Sequence, residues 1–181
     1  IQLIAKHSDF MDEILRLAWQ RFTWNENNDA WRKSRIALVA VGGYGRRELL
    51  PHSDIDVMIL LERQNQNIHR SNIQSFTTLL WDIGLKVGHS VRSVKDCRSQ
   101  AAADVTVMTA LLEARIIVGA PDLMAKMERQ LNQRKLWPAK TFFEAKRREQ
   151  LDRHAKSDHT EYSLEPNVKT SPGGLRDIQT I

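Results

Sequence analysis

Residues 41–57, VGGYGRRELLPHSDIDV, decide the fold of this 181-residue chain. The stretch connects two short apolar runs, residues 36–41 and 55–61, whose β-branched content is typical of buried strands. The connection is about a dozen residues long, which suits one turn and a short helical segment better than the helix of a parallel crossover. We therefore predict an α/β (α+β) domain with a small mixed sheet and a helical subdomain, rather than a doubly wound parallel sheet.

Asp54 and Asp56 stand at the start of the second predicted strand. Side chains two residues apart on a strand point to the same face, so both carboxylates emerge together while Ile55 enters the core. Neighbouring carboxylates repel one another unless a cation neutralises them, and carboxylate oxygens favour Mg²⁺ or Mn²⁺. Two such ions about 3.5 to 4 Å apart activate an attacking oxygen and stabilise a leaving pyrophosphate. We predict that Asp54 and Asp56 are catalytic metal ligands.

The glycine pair Gly42-Gly43 supplies the second half of the predicted site. It follows a strand and precedes a short helical turn, and the missing side chains let backbone N–H groups approach phosphate oxygens. Ser53 is expected to bind a phosphate or to cap the turn. Arg46 is placed to meet phosphate or to hold Glu48 and the aspartates. These residues predict a nucleotide-binding turn beside the metal ligands.

The spacing excludes the better-known phosphate-binding loops. A P-loop requires GxxxxGK[ST], a string that the sequence lacks. The Rossmann and kinase loops require GxGxxG, and Glu48 stands where the third glycine belongs. A glycine pair after a strand, or a lone Asp-x-Asp, is commonplace by itself. The two in this order and at this spacing indicate a joint phosphate and metal site.

The remaining sequence predicts mainly helices around this sheet. Apolar residues at helical spacing predict a helix over residues 3–24: Ile4, Phe10, Ile14, Leu17, Ala18 and Phe22. Further along, we expect a polar break at 25–29, a helix at 68–83 closed by Gly84, a strand at 86–94, a helix at 104–118 capped by Asp104 and followed by Gly119, and helices at 121–134, at 138–156 and from Leu175. We divide the chain into an N-terminal helix (1–30), a catalytic core (31–120) and a helical subdomain with a Pro/Gly segment (121–181).

Charge and composition narrow the class of protein. The net charge is +5 with both signs interspersed, which favours anionic partners such as nucleotides without forming a polybasic tract. No apolar run approaches the roughly 20 residues of a membrane span, and the N-terminus is unlike a signal peptide. The single cysteine, Cys97, rules out an internal disulfide. We expect a cytoplasmic location and, because the chain begins without Met, a piece of a longer protein.

The motif residues resemble the polymerase-β-type nucleotidyltransferase superfamily, whose common pattern is a glycine pair followed by a strand-borne Asp-x-Asp. The longer stretch at residues 42–60, GGYGRRELLPHSDIDVMIL, is similar to the N-terminal domain of the bacterial PII uridylyltransferase/uridylyl-removing family. The resemblance extends to residues 80–92 (LWDIGLKVGHSVR), 109–115 (TALLEAR) and 164–178 (LEPNVKTSPGGLRDI). A PGGLRDI-like string also occurs in the related glutamine synthetase adenylyltransferases.

This resemblance implies the transferase part of a multifunctional enzyme of nitrogen regulation. It implies transfer of UMP from UTP to a tyrosine of the PII signalling protein, with release of pyrophosphate and with Mg²⁺ or Mn²⁺ as cofactor. By the same resemblance, Asp54 and Asp56 are the metal ligands, and Gly42, Gly43 and Ser53 hold the triphosphate. The His-Asp dipeptide of the family's hydrolase domain does not occur in the sequence, so we expect transfer and no removal of UMP.

Lys169 and Arg176 are further nucleotide-binding candidates outside the motif. Arg176 and Asp177 follow the glycine pair Gly173-Gly174 at the start of a predicted helix. These two residues either bind nucleotide phosphate or lock the helical subdomain to the sheet through an ion pair. Lys169 is a candidate for the same phosphate contact.

The chain departs from the superfamily pattern in one respect. Many members supply a third carboxylate from a later strand, but the predicted strand at residues 87–93 carries none. The alternatives are Asp82, Asp96, Asp104 and Asp177, with His89 in a different role. Two other functions therefore stay open, namely transfer to RNA or a small molecule and a non-catalytic nucleotide-binding module. Nucleic acid is the less favoured partner.

Overall fold

The computed structural model describes residues 2–24, 35–62, 69–158, 168–169 and 171–179. The chain divides into two compact units, residues 1–132 and 133–181. In chain order the elements of the first unit are α1 (Gln2–Gln20), β1 (Ile36–Ala40), α2 (Gly42–Gly45), β2 (Ile55–Leu61), α3 (Arg70–Asp82), β3 (Val87–Ser93), α4 (Val94–Ala103), α5 (Val105–Leu112), β4 (Arg115–Gly119) and α6 (Pro121–Gln130). The second unit contains α7 (Gln133–Leu136), α8 (Ala139–Asp158) and α9 (Leu175–Ile178).

The strands form a four-stranded mixed sheet in the order β3-β2-β1-β4. β1 pairs antiparallel with β2 and with β4, whereas β2 and β3 are parallel. The short connection from β1 to β2 allows their antiparallel pairing, and α3 provides the crossover that the parallel pair needs. The predicted small mixed sheet is confirmed, and the three predicted strands lie within a residue of their expected bounds.

The two central strands are buried on both faces. On one face Val57 belongs to a core cluster with Leu15 of α1 and Phe76 of α3. On the other face the Met58 sulfur lies 3.7 Å from the Cys97 sulfur of α4, and α6 lies against β1 and β2. Helices therefore cover both sides of the sheet, which explains why the central strands are apolar at almost every position.

The N-terminal helix is present, and of the apolar positions that predicted it Ala18 is buried and Ile14 packs against the core. Phe10 and Leu17, in contrast, are 63% and 64% exposed. The buried face also carries two polar residues, Ser8 and Asp12. Polar groups on the inner side of a helix require hydrogen-bond partners, so α1 contributes specific polar contacts as well as apolar packing.

The helix predicted over residues 104–118 is wrong, because this segment is a helix followed by a strand. Asp104 caps α5 as expected, accepting a hydrogen bond from the Thr106 N–H at 2.7 Å. The chain then enters β4, and Gly119 is the last residue of that strand rather than a residue beyond a helix. The β-branched run at 116–118 pairs with the edge of β1, and this pairing overrides the helical propensity of the residues before it.

Most other helices lie where the sequence places them. Gly84 follows α3 with φ +82°, as expected of a helix-ending glycine. The helix predicted at 121–134 is two helices, and α4, with its Ser93/Asp96 capping box, was missed. The polar break expected at 25–29 lies outside the described residues. The three-part domain division stays a prediction; by its contacts, α6 belongs to the first unit.

Ion pairs around Asp177 organise the described part of the second unit. The Asp177 carboxylate accepts hydrogen bonds from Arg153 at 2.6 Å and from the Gly173 N–H at 2.8 Å, and His154 Nε2 lies 2.9 Å away. Desolvation raises the pKa of Asp177, but these hydrogen bonds outweigh it and hold the pKa below its ordinary value. The carboxylate therefore ties the residues that begin α9 to α8.

Candidate active site

The end of β1 and the start of β2 meet through a backbone hydrogen bond. The Val41 N–H donates to the Asp56 carbonyl at 3.1 Å. The chain then enters the glycine turn, residues 42–45, in which Gly42 has φ +59°, a conformation that L side chains rarely adopt. A Cβ on Gly42 would lie 3.9 Å from the Asp56 Oδ2 atom. The glycine turn therefore runs directly beside one of the predicted metal ligands.

The helical hydrogen bonds of the glycine turn begin with the N–H group of Gly45, so the N–H groups of Gly42 and Gly43 lie before the first of these bonds. The Gly45 N–H donates to the Val41 carbonyl at 3.2 Å, and the Arg46 N–H donates to the Gly42 carbonyl at 3.2 Å. A helical turn has no internal acceptor for the N–H groups before its first bond. Those of Gly42 and Gly43 occupy this position, which is the one where anions bind to such turns.

Asp54 and Asp56 show the strand alternation that the sequence predicts. Both are exposed, while Ile55 between them is buried. The β2–β3 register places Asp56 beside Gly88, and a Cβ on Gly88 would lie only 2.7 Å from the Asp56 Oδ1 atom. The absence of a side chain at Gly88 therefore keeps the space around the Asp56 carboxylate open.

The chemistry of this carboxylate pair fits a divalent cation. Its oxygen atoms are the ligands that Mg²⁺ and Mn²⁺ prefer, and glycines stand at the two positions where a Cβ would approach Asp56. Within the described ranges, no group of three or more His, Cys, Asp or Glu residues is arranged to hold a metal ion. A cation bound by Asp54 and Asp56 would therefore draw further ligands from a nucleotide or water, as Mg²⁺ commonly does.

Beneath the glycine turn lies a buried polar cluster that the sequence interpretation missed. Asp12 of α1 is 2% exposed. It accepts hydrogen bonds from the Tyr44 hydroxyl at 2.6 Å and from both terminal nitrogens of Arg115 at 2.6 and 3.0 Å. Arg115 also donates to the carbonyls of Gly45 at 3.3 Å and Tyr44 at 3.4 Å. These three side chains, here named the Asp12 cluster, join α1, the glycine turn and β4.

The protonation states in the Asp12 cluster are fixed by burial and by each other. Burial and the adjacent Asp12 carboxylate raise the pKa of the Tyr44 hydroxyl far above its ordinary value, so Tyr44 keeps its proton and donates it to the hydrogen bond. Burial lowers the pKa of Arg115, but the hydrogen bonds and charge of Asp12 outweigh it and raise that pKa. One signal for the cluster was in the sequence, because Asp12 lies four residues after Ser8 and three before Leu15, on a single helix face.

Arg46 lies along the glycine turn between two carboxylates. Its Nε atom is 2.8 Å from Glu48, one of the contacts considered for it, and its Nη1 atom is 2.6 Å from Glu113. Glu113 was not considered from the sequence, although it belongs to the TALLEAR stretch at 109–115. The Nη2 atom of Arg46 lies 3.8 Å from the position of a Cβ on Gly43. The Arg46 guanidinium therefore lies along the turn with its charge paired to two carboxylates, and its contact with phosphate stays a prediction.

The aspartates considered as a third carboxylate have other positions or roles. Asp96 closes the capping box of α4, and Asp104 caps α5. Asp177 pairs with Arg153 in the second unit. Asp82 is an exposed residue at the end of α3. In the part of the chain that the structure describes, the carboxylate pair of β2 is therefore not joined by a third carboxylate.

His89 belongs to the opposite face of the sheet from the metal ligands. Its register partner is Val57, a residue of the core cluster, whereas the neighbour Gly88 is paired with Asp56. The His89 ring lies 5.7 Å from the ring of Trp81 on α3. Because successive residues of a strand point to opposite faces, His89 is directed away from the carboxylate pair.

The remaining predicted nucleotide-binding residues are Ser53, in the first unit, and Lys169 and Arg176, in the second. Ser53 directly precedes Asp54, and its backbone N–H donates to the Leu50 carbonyl at 3.1 Å, which closes the turn that leads into β2. Lys169 and Arg176 are exposed residues of the second unit, where the Arg176 N–H donates to the Lys169 carbonyl at 3.2 Å. The role of all three in nucleotide binding stays a prediction.

Comparison with known proteins agrees with this geometry. A family model described as "Nucleotidyltransferase domain" matches residues 23–102, which include the glycine turn, both aspartates and β3. A second family model, described as "GlnD PII-uridylyltransferase", matches residues 141–181. The fold and this match define the class of protein as a nucleotidyltransferase, a class that generally uses a divalent metal ion and a nucleoside triphosphate.

Similar proteins include bacterial enzymes named "Bifunctional uridylyltransferase/uridylyl-removing enzyme". The enzyme of Stutzerimonas stutzeri (strain A1501) is 56% identical to this chain over 180 residues, and that of Azotobacter vinelandii (strain DJ / ATCC BAA-1303) is 53% identical over 180 residues. Each match covers 99% of this chain, which spans 19% of the length of these relatives. Nearly the whole chain is thus similar to one part of these uridylyltransferases, and residues 23–102 of it match the nucleotidyltransferase domain model.

Among the residues that the structure describes, no helix combines the length and the apolar character that crossing a membrane requires. The cytoplasmic location expected from the sequence stays a prediction.

Proposed function

We propose that this chain transfers UMP from UTP to a tyrosine of a PII signalling protein, releasing pyrophosphate, with Mg²⁺ or Mn²⁺ as its cofactor. The observation that carries the proposal is the hydrogen bond from the Val41 N–H to the Asp56 carbonyl, because the glycine turn that follows Val41 runs beside the Asp56 carboxylate. The description of the family model and the names of the relatives support UTP and PII as the substrates.

Each part of the site has a separate task in this proposal. Asp54 and Asp56 hold the divalent cation, which when bound neutralises negative charge on the phosphates. The N–H groups of Gly42 and Gly43 bind phosphate oxygens, and Arg46 adds positive charge along the turn. The α-phosphorus is thereby held for in-line attack. The oxygen of the acceptor hydroxyl bonds to the α-phosphorus as the bond from phosphorus to the leaving pyrophosphate breaks, and the hydroxyl proton passes to water.

Ser53 is a further proposed nucleotide contact of the first unit, and Lys169 and Arg176 are proposed separately as phosphate-binding residues of the second unit. Ser53 adjoins the carboxylate pair in the chain, and its hydroxyl is suited to donate a hydrogen bond to a phosphate oxygen. Lys169 and Arg176 are exposed cations on one hydrogen-bonded segment of the second unit. A triphosphate is the kind of anion that such side chains bind through charge-assisted hydrogen bonds.

The proposal is tested by incubating the natural protein with its proposed acceptor and with each nucleoside triphosphate in turn. PII, Mg²⁺ and each of the four labelled nucleoside triphosphates are incubated with the enzyme in separate reactions. We expect label from UTP to appear on PII and to disappear when the acceptor tyrosine of PII is changed to Phe. Label on RNA, or on a small molecule, together with none on PII would overturn the assignment of the acceptor.

A nucleotide-binding module without transfer is the second candidate function. It is favoured by one observation, namely that within the described ranges the β2 carboxylates are not joined by a third. Calorimetry with UTP and Mn²⁺ separates the two candidates when it is combined with the transfer assay. Metal-dependent UTP binding with no labelled product would support the binding module, whereas labelled PII would exclude it.

A further inference from the structure

We propose that the Asp12 cluster positions the glycine turn for triphosphate binding, and that Tyr44 and Arg115 are positioning residues of the transfer reaction. This inference rests on the proposed function, because it assigns a role at the same site. Both residues act through the backbone of the turn rather than by touching the nucleotide.

The first reason is that the cluster binds both a side chain of the glycine turn, that of Tyr44, and two main-chain carbonyls of the turn. Tyr44 is the third residue of the Gly-Gly-Tyr-Gly sequence and is 2% exposed, with its hydroxyl bonded to Asp12 at 2.6 Å. Arg115 donates to the carbonyls of Tyr44 and Gly45, the last two residues of α2. The turn is therefore anchored at the end opposite to the N–H groups proposed to meet phosphate.

The second reason is that the glycine turn packs in direct contact with the backbone of the segment that leads to Arg115. A Cβ on Gly45 would overlap the Glu113 carbonyl oxygen, so the backbone at Glu113 lies directly on the turn. The Glu113 side chain also pairs with Arg46 on the outer side, at 2.6 Å. A displacement of this segment is therefore passed directly to the glycine turn.

The third reason is energetic. Burying a carboxylate and a guanidinium carries a desolvation cost, and well-packed apolar residues would stabilise a fold equally well or better. The ion pair instead fixes the orientation of the Arg115 guanidinium, because its two terminal nitrogens donate to the two oxygens of the Asp12 carboxylate in one plane. The Asp12 cluster is thus better suited to fixing the geometry of the turn than to adding stability.

The fourth reason is the short path from the cluster to the metal ligand. The anchored turn begins at Gly42, whose Cβ position lies 3.9 Å from the Asp56 Oδ2 atom. A misplacement of about 1 Å in a reacting group costs roughly 10²-fold in rate. A turn released by its anchor would therefore bind the triphosphate less tightly and present the α-phosphorus less accurately to the acceptor.

Tyr44→Phe tests the inference because it retains the buried ring and removes only the hydroxyl that bonds Asp12. We expect the Kd for UTP with Mn²⁺, measured by calorimetry, to rise about tenfold, and kcat for transfer to PII to fall as well. Arg115→Lys keeps the charge but loses the fork, so its effect should be larger. All measurements are made on the natural protein at a temperature well below the Tm of each variant.

The matched control is Asp9→Asn. Asp9 pairs with Arg47 at 3.0 Å, and this exposed pair also links α1 to the residues after the glycine turn. We expect wild-type UTP binding and kcat from Asp9→Asn. If Tyr44→Phe lowers the Tm yet binds UTP and transfers UMP like the Asp9→Asn control, the cluster is purely structural and the inference is overturned.

The same data separate this inference from the proposed function. If the wild-type protein binds UTP but labels no acceptor, the proposed function fails, while the Kd values of Tyr44→Phe and Asp9→Asn still decide whether the cluster positions the turn. If the wild-type protein labels PII and both variants bind UTP equally well, the function holds and the inference fails.

Discussion

The glycine turn lies between two sets of aspartates that differ in their exposure to solvent. On its β2 side, Asp54 and Asp56 are exposed. On its α1 side, Asp12 is 2% exposed and is bound by the guanidinium of Arg115. The exposed carboxylates are accessible to a cation from solution, whereas the oxygens of Asp12 already bind a cation of the protein itself. Solvent access, rather than residue type, therefore separates the proposed metal ligands from a structural anchor.

This contrast predicts that the two sides of the turn respond differently to substitution. Changes on the β2 side should reduce transfer and leave the free energy of unfolding nearly constant. Changes on the α1 side should reduce the free energy of unfolding as well as the activity.

The largest effect is expected for Asp56→Asn. The variant loses a proposed metal ligand, and because metal ions supply several kcal/mol of transition-state stabilisation, kcat should fall about 10³-fold. Thermal unfolding should stay the same or shift slightly upward, because a repulsion between neighbouring carboxylates is relieved. The measurements are single-turnover UMP transfer to PII and the Tm. A variant with nearly wild-type kcat would remove the metal role of Asp56.

The next effect is a loss of stability in Asp12→Asn. The substitution removes the charge of the buried carboxylate that Arg115 binds with both terminal nitrogens, so the free energy of unfolding should fall by about 3 kcal/mol. Urea denaturation measures this change. Asp9→Asn is the control on the same helix, because Asp9 is 51% exposed and its pair should contribute about 0.5 kcal/mol or less. Equal losses in the two variants would contradict the contrast between buried and exposed aspartates.

A pair of glycine substitutions sharpens the comparison further. In Gly88→Ala the new Cβ would meet the end of the Asp56 side chain at 2.7 Å, so the carboxylate must move and kcat should fall roughly 10²-fold at nearly constant Tm. In Gly45→Ala the new Cβ would meet the backbone of Glu113, which cannot give way, so stability should fall by about 2 kcal/mol. Parallel kinetics and unfolding experiments test both variants. A loss of stability in Gly88→Ala as large as that in Gly45→Ala would be contrary to this prediction.

The smallest effect is expected in the second unit, where Asp177 has charged partners but sits at the edge of solvent. Its pKa is lowered in the folded state by hydrogen bonds from Gly173 and Arg153, which outweigh desolvation. The stabilisation is therefore present above the unfolded pKa of about 4 and is lost as the pH falls below it. Thermal unfolding measured between neutral and acidic pH should show a weaker acid dependence in Asp177→Asn than in the wild type. Superimposable pH profiles would refute this role.

The sequence predicts most accurately those structural features that depend on residues close to one another along the chain. The central strands, the glycine turn and the alternation of Asp54, Ile55 and Asp56 all lie within residues 36–61, where periodicity and glycine positions are sufficient signals. Gly84, which ends a helix, is another local signal of this kind.

The sequence interpretation fails where partners are remote along the chain. β4 was taken as part of a helix, because its place in the sheet depends on the edge of β1. The Asp12 cluster was missed because Asp12 and Arg115 are separated by 103 positions. A carboxylate on the buried stripe of α1 indicated that a partner was needed, but nothing local identified Arg115 as that partner.

The hydrogen bond from the Val41 N–H to the Asp56 carbonyl extends the pairing of β1 with β2, so this pairing by itself brings the parts of the proposed site together. Because β1 and β2 form one antiparallel hairpin, closing that hairpin brings the glycine turn to the aspartates without a further folding step. A slip of one residue in the pairing would turn Asp56 toward the core, so correct folding and correct chemistry are selected together.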